Sequence, residues 1–473
     1  MNSPHLLDAK AARILPWIVA IAFFMQALDA TILNTALPTM AQDLNVSPLR
    51  MQSSVIAYML TVAILIPASG WLADRFGGRR VFIAAILLFS FGSLLCALSQ
   101  SLGTLVASRI VQAAGGALMM PVGRLIILRN YPRDEFVKVM SLVTIPGLMG
   151  PLLGPAVGGW LVEYVSWHWI FLINLPVGAL GCWAAWYFLP NIRHTEPARF
   201  DWLGFLLFSG SMLLLSLALE GMGTLEFSRA QMLLLLLFGI SCMSAYWLHA
   251  ANVANPLFSL ELFKIHTFSV GLLGNLFTRL GTGALPFLTP LYLQLALGYS
   301  PSQAGLTMIP MALAAMGAKT IADRLLKHFG YRHVLLVNTL ILGMMIAGFA
   351  LFTPHTSAYW LYGYMALLGA FNSVQMTAMN TLTVIDLHGQ AMSSGNSLVS
   401  VNMQLSMSLG IAVAAAVLGS FVDIHHAFEP EPLLRGFHLT YLCLGAATVL
   451  AAAIFLQIKP STGKPIPMAD ALV

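Results

Sequence analysis

Apolar residues fall into fourteen runs along this chain, each long enough to cross about 30 Å of hydrocarbon as a helix. Their limits are 14–36, 51–73, 81–99, 104–126, 136–161, 168–190, 202–220, 230–249, 267–290, 301–320, 332–352, 358–383, 396–422 and 437–458. Polar residues collect in short stretches between them, the longest being 250–266, 191–201, 384–395 and 423–436. None of these could hold a soluble module. The pattern predicts an all-α integral membrane protein with fourteen transmembrane helices. Its first span is expected to be retained, being too long for a signal-peptide core and lacking a small-residue cleavage site after it.

Charge orients the chain. With the N-terminus in the cytoplasm, seventeen of the 23 Lys and Arg lie on the cytoplasmic side, from Lys10 and Arg13 through Arg193 and Arg199 to Lys464. Only Arg50, Arg229 and Arg435 lie in outer loops, and Arg109, Arg124 and Arg279 fall within spans. This asymmetry follows the positive-inside rule and places both termini in the cytoplasm. Composition agrees: 9% of residues are charged and 58% hydrophobic, against about 25% and 45–50% in soluble domains. Cys96, Cys182, Cys242 and Cys443 are scattered without metal-ligand spacing. There is no GxxxxGK[ST] phosphate loop, no HExxH and no GxSxG, so neither nucleotide-driven nor hydrolytic chemistry is expected. No metal, cofactor or nucleic-acid partner is implied.

The stretch PGLMGPLLGPAVGGW at 146–160 is unusual for a helix. Interior glycine costs about 1 and proline about 3 kcal/mol relative to alanine in water. Within a bilayer a helix remains almost the only option, since every backbone polar group needs a partner. Gly147, Gly150, Gly154 and Gly158 form one stripe at i, i+3, i+7 and i+11, a surface on which a second helix can pack very closely. The stripe suits either a static crossing or a moving contact, and the second is favoured.

A weak repeat relates two turns. Gly70 to Arg80 (GWLADRFGGRR) lies between spans two and three; Gly317 through Asp323 and Arg324 to Arg332 lies between spans ten and eleven. The spacing differs, so the second is a degraded echo. Both take the same relative place if spans 1–6 and 9–14 are duplicated halves, a known transporter plan with substrate bound between them.

Buried polar residues supply the candidate chemistry. Asp29 is the only carboxylate deep within any span, and a charge there costs at least about 2.5–3.5 kcal/mol on insertion scales. Counting residues from the outer ends of spans one and four puts Asp29 and Arg109 at nearly the same depth. They are expected to pair, either as a permanent link or as a proton-coupled switch. Gln112 and Gly116 share the Arg109 face, which lines a cavity or serves helix association. Asn396, Ser400, Gln404 and Ser408 repeat every four residues in span thirteen, and Asn372 and Gln375 make a weaker case in span twelve. Arg279 either holds substrate or pairs with a helix end. The 25 Met and 27 Phe suit a malleable apolar pocket.

Five motifs carry a resemblance across nearly the whole chain. These are Leu28 to Pro38 with Asp29 and Asn34, Gly70 to Arg80, Arg109 to Gln112, Gly150 to Gly159, and Trp167 to Pro176. In this order they resemble the 14-span drug:proton antiporters of the major facilitator superfamily (EmrB/QacA type). Ala113 and His168 depart from that pattern, which commonly has glycine and arginine there. The resemblance implies a major facilitator fold with a six-helix half at 1–190, two inserted spans at 191–266, and a second six-helix half at 267–473. It also implies proton-driven export of small amphiphilic compounds, such as drugs or toxic metabolites, by a monomer in the bacterial inner membrane. An anionic metabolite or siderophore, suited to Arg279, is the alternative substrate. Asp29 and Arg109 would couple protons. Gln26, Asn34, Gln112, Arg279, Asn372, Gln375 and Gln404 are the expected cavity residues. Gly70, Asp74, Arg75, Gly77, Arg79, Gly150, Gly154, Pro155, Gly158 and Gly159 would serve gating and helix contact, with Asp74 as a cytoplasmic latch.

Overall fold

Proline and glycine decide where each apolar run bends and stops. The computed structural model describes residues 9–131, 133–190, 200–221, 227–388, 390–422 and 430–459, and all regular structure among them is helical. Helices α1 (Ala9–Ile32), α2 (Leu37–Asp43), α3 (Gln52–Leu65), α4 (Ser69–Phe76) and α5 (Gly78–Ala97) come first. They are followed by α6 (Leu102–Asn130), α7 (Arg133–Tyr164), α8 (His168–Leu172) and α9 (Asn174–Phe188). The expected insertion is a pair, α10 (Trp202–Gly221) and α11 (Arg229–Asn252). Then come α12 (His266–Thr282), α13 (Leu285–Leu291), α14 (Pro301–Gly348), α15 (Ala358–Val384), α16 (Gln390–Phe421) and α17 (Pro430–Ala451).

Eleven helical stretches among the described residues are long and apolar enough to cross a membrane. One of them, Pro301–Leu351, contains a break at Gly330 (φ 75°, ψ 164°), so α14 is two helices joined end to end. The remaining two sequence segments, 267–290 and 358–383, are occupied by α12 with α13 and by α15. Arg193, Arg199, Lys464 and residues 423–429 lie outside the described residues.

Several spans are less regular than their hydropathy suggests. Pro67 sits in a 3₁₀ turn, Ile66–Ala68, that separates α3 from α4, because proline cannot donate to the helix ladder. Pro290 lies inside α13, and the chain then passes through one π turn at Tyr292–Ala296. Pro146, Pro151 and Pro155 are all accommodated within α7. Two helix starts carry reciprocal capping boxes, Ser101 with Thr104 on α6 and Ser228 with Gln231 on α11.

The helices cluster into two compact units. The first holds residues 1–257 with 289–306, so α10 and α11 associate with α1–α9 rather than standing apart. The second holds residues 258–288 with 307–473. In the first, Val19, Phe82, Phe89, Ala113 and Met119 are fully enclosed. In the second, Val270, Ala322, Leu335, Ala378, Leu382 and Phe455 form one buried cluster.

The repeated turns share a backbone feature. Gly77, the single residue between α4 and α5, has φ 94°, and Gly330 within α14 has φ 75°. Only glycine adopts such values without steric cost. Each follows a phenylalanine, Phe76 and Phe329. Asp74 precedes Gly77 by three residues and Asp323 precedes Gly330 by seven. The difference is about one turn of helix, which explains why the sequence echo is out of register.

Candidate functional site

A closed polar network forms where α1, α5, α6 and α9 meet. Glycines make the meeting possible. A Cβ at Gly92 would lie 2.3 Å from the Gln112 backbone, and one at Gly115 would lie 2.4 Å from the Phe89 backbone. The resulting α5–α6 contact delivers Ser93, next to Gly92, to the side chain of Gln112. Asp29 and Arg109, each 1% exposed, form an ion pair through Arg109 Nη1 and Asp29 Oδ2 at 2.7 Å. Arg109 also donates to Gln112 Oε1 at 2.6 Å, while Gln112 Nε2 donates to Asp29 Oδ1 and to Ser93 Oγ, both at 2.7 Å. Asn174 donates to Ser93 Oγ at 3.2 Å and to Asp29 Oδ1 at 3.4 Å. Both carboxylate oxygens are therefore engaged, and the charges cancel inside the bundle.

The Arg109 guanidinium also lies 4.1 Å from the centre of the Tyr58 ring. The Tyr58 hydroxyl and Arg109 Nε are buried without hydrogen-bond partners. Gly116 leaves room for that hydroxyl, since a Cβ there would stand 2.7 Å from it. An acid held by an arginine and a glutamine changes its bonding when it takes up a proton, since one carboxylate oxygen turns from acceptor to donor.

Residues expected on a cavity wall take varied places. Gln112 is fully buried and its amide is consumed by the network, so helix association rather than a cavity claims it. Gln375 is likewise fully buried: it accepts from Asn338 and donates to Thr339 on α14, both at 2.7 Å. Asn34 is 5% exposed and donates back to the Ala30 carbonyl. Gln26 and Asn372 are half-buried, each with a side-chain oxygen enclosed and unpartnered. Gln404 is half-buried on α16. The polar link from α16 to α12 runs instead through Asn402, which donates to the Leu272 carbonyl at 3.1 Å. Arg279 is 4% exposed; its Nε donates to Asn275 at 3.2 Å and Nη2 approaches Met376 Sδ at 2.6 Å.

The glycine stripe of α7 packs on α1, the helix that carries Asp29. Added Cβ atoms would lie 2.6 Å from Ala27 at Gly150, 2.2 Å from Thr31 at Gly154 and 2.4 Å from the Ile32 carbonyl at Gly158. Thr31 Oγ1 donates to the Gly150 carbonyl at 3.1 Å. Gly147 is looser, its nearest neighbour being 3.8 Å away. Gly159 and Pro155 face the first turn of α14: a Cβ at Gly159 would meet the Pro301 carbonyl at 2.2 Å, and one at Gly305 would meet the Pro155 carbonyl at 2.1 Å. Glu163 accepts there from Ser302 N at 3.0 Å and Ser302 Oγ at 2.6 Å.

At the turn before α5, Asp74 pairs with Arg129 at the end of α6. Arg75 lies over the Trp71 ring at 5.6 Å, and Arg79 donates to the Leu189 carbonyl at 3.2 Å. Gly70 departs from expectation: open space surrounds its Cβ position, so it makes no close helix contact.

A family model described as the Major Facilitator Superfamily matches residues 19–411 and 271–471. The chain belongs to the major facilitator superfamily. It is a multi-pass membrane transporter, not an enzyme. A relative from Pectobacterium atrosepticum, described as putative multidrug resistance protein MdtD, is 49% identical over 96% of this chain and 97% of its own length. One of the same description from Salmonella heidelberg is 48% identical over 94% and 95%. A solved peptide transporter in complex with sulfate covers 95% of both chains with a TM-score of 0.70 at 15% identity. A D-xylose-proton symporter gives 0.67 at 14% identity, covering 96% of this chain and all of the other.

Within this superfamily member, the parts of the network that sequence reading missed are Tyr58, Ser93 and Asn174. Serine and tyrosine in an apolar span carry no periodic signal of their own. Asn174 stood in the Trp167 to Pro176 motif, but nothing local assigns it a partner 145 positions away.

Proposed function

We propose that this transporter exports small amphiphilic compounds across the bacterial cytoplasmic membrane in exchange for protons, by alternating access. The network around Asp29 supports this most directly. In it, the one deep carboxylate of the chain accepts hydrogen bonds from Arg109, Gln112 and Asn174. Protonation removes the negative charge and turns one oxygen into a donor, so Arg109 Nη1 loses its ionic partner. The α1 face next to Asp29 rests on the glycines of α7, and rebonding at Asp29 is thereby linked to a tight, shape-dependent helix contact.

In the cycle, substrate loads from the cytoplasm or inner leaflet while Asp29 is ionised. A proton arriving from outside neutralises Asp29, favours release, and leaves inward on return. Each charge crossing the full potential contributes about 2.3 kcal/mol per 100 mV. Both termini lie in the cytoplasm, the protein acts as a monomer, and Asp74 with Arg129 helps latch the cytoplasmic side. Gln26 in the first unit, and Asn372 and Gln404 in the second, are half-buried polar groups available to substrate. The names of the relatives point to multidrug substrates.

The test is proton counting in proteoliposomes. Substrate added against an imposed pH gradient should move protons in the opposite direction. Substrate flux that ignores the gradient would overturn the coupling.

A further inference from the structure

We infer that Arg279 anchors a site for a single anionic group, a carboxylate of the transported compound, within the second unit. The inference rests on the transporter reading and adds a substrate class to it. The two deeply buried arginines differ in one respect. Arg109 has Asp29, whereas Arg279 has no carboxylate partner among the described residues. None can be supplied nearby from the sequence either, since spans nine to fourteen contain no Asp or Glu. The acceptors Arg279 does have are an amide oxygen and a thioether sulfur, and sulfur accepts weakly. Its place in the last turn of α12 offers some relief from the helix dipole. A buried charge left unpaired is otherwise heavily disfavoured.

Unpartnered polar atoms lie on the two helices whose side chains meet at this cation, α12 and α15. On α12, Asn275 and Thr278 are fully buried, and Asn275 Nδ2 and Thr278 Oγ1 have no hydrogen-bond partner. The Nε bond from Arg279 occupies Asn275 Oδ1, which leaves the amide nitrogen as a free donor. On α15, Asn372 and Asn380 stand one helical turn to either side of Met376, the residue in contact with Arg279, and each has an enclosed, unpartnered side-chain oxygen. Either amide could present its N–H₂ instead, since the two ends are interchangeable by rotation. A guanidinium with an amide and a hydroxyl donor is a set that suits a carboxylate. Asn372, Met376 and Asn380 form a half-buried stripe, so the set has a less enclosed side. Met376 is a pliable apolar side chain and suits the hydrocarbon portion of an amphiphilic acid.

The experiment compares 4-octylbenzoate with 4-octylbenzamide, which share a tail and differ in charge, on the purified full-length protein in chloride-free buffer. Wild type should bind the acid about tenfold more tightly than the amide, the range expected of one charge-assisted contact. Arg279→Gln should erase that preference, and Arg279→Lys should keep part of it. If Arg279→Gln is not monodisperse, Asn275→Leu and Thr278→Val replace it, and each must weaken the preference. Equal binding of acid and amide, or a preference that survives these substitutions, overturns the proposal. Chloride that stabilises wild type while the acid shows no advantage would mark a halide site and also overturn it. Asp29→Asn separates the two readings: it should lose proton-driven transport yet keep the acid preference. If wild type prefers the acid but moves no protons, the site stands and the coupling falls.

Discussion

Gln112 donates to Asp29 Oδ1 at 2.7 Å, the carboxylate oxygen that Arg109 leaves to other donors. One glutamine on the arginine's own helix thus completes the first coordination of the acid and ties it to Ser93 on α5. The proposed proton site is a junction of four helices rather than an isolated pair.

Asp29→Asn should abolish transport driven by a pH gradient while leaving folded protein in the membrane. Asparagine imitates the protonated acid, a state the proposed cycle visits, so the fold should tolerate it. Gradient-driven flux at wild-type level in vesicles of this variant would remove Asp29 from the coupling.

Gln112→Leu should lower stability by about 1–3 kcal/mol, because it leaves Asp29 Oδ1 and Ser93 each short of a donor in a buried site. A melting temperature equal to that of wild type would show that the network rearranges at no cost.

Glycines of α7 should differ in tolerance. Gly150→Ala drives a methyl to 2.6 Å of the Ala27 backbone, while Gly147→Ala meets nothing closer than 3.8 Å. Overpacking of this kind costs about 1–3 kcal/mol. The first should impair both stability and export and the second should not, by thermal melts and vesicle transport. Gly154→Leu, facing Thr31, should lock or leak the carrier.

Asp74 and Arg129 are partly solvent-exposed, so removing either charge should change stability by less than about 1 kcal/mol. Transport should fall in each single variant and recover in the exchanged pair Asp74→Arg with Arg129→Asp. Failure of the exchange to restore any flux would show that the ion pair is not what matters there.

Outside the spans, Asp201 offers a pH test. Burial pushes its carboxyl up, but hydrogen bonds from His249 and from the Gly204 and Leu257 N–H groups outweigh this and hold it below the usual carboxylate range. A depressed folded value means the stabilisation is present above the unfolded value, about 3.9, and is lost as pH falls through the folded one. Asp201→Asn should therefore destabilise at pH 7, with the gap to wild type closing as pH falls below the unfolded value. A gap of constant size across that range would assign the effect to something other than ionisation.

The sequence by itself determined the class of the molecule, since hydropathy, segment length and charge asymmetry act on each span separately and need no knowledge of neighbours. It also determined that Asp29 and Arg109 belong together, because two opposite charges at one depth have few other ways to be tolerated. The echo of Gly70 to Arg80 was visible too, though its register became clear only when Gly77 and Gly330 proved to share a left-handed backbone. Tertiary structure decided which helix faces meet. Gln112 and Gln375 look alike as polar residues in apolar spans, and whether each meets a cavity or a neighbouring helix depends on contacts made far along the chain. Gly92 and Gly115 set α5 against α6 closely enough for Ser93 to reach Gln112. The same close approach, repeated between α7 and α1, placed Asp29 on a helix backed by glycine, and no periodicity within either segment encodes that meeting.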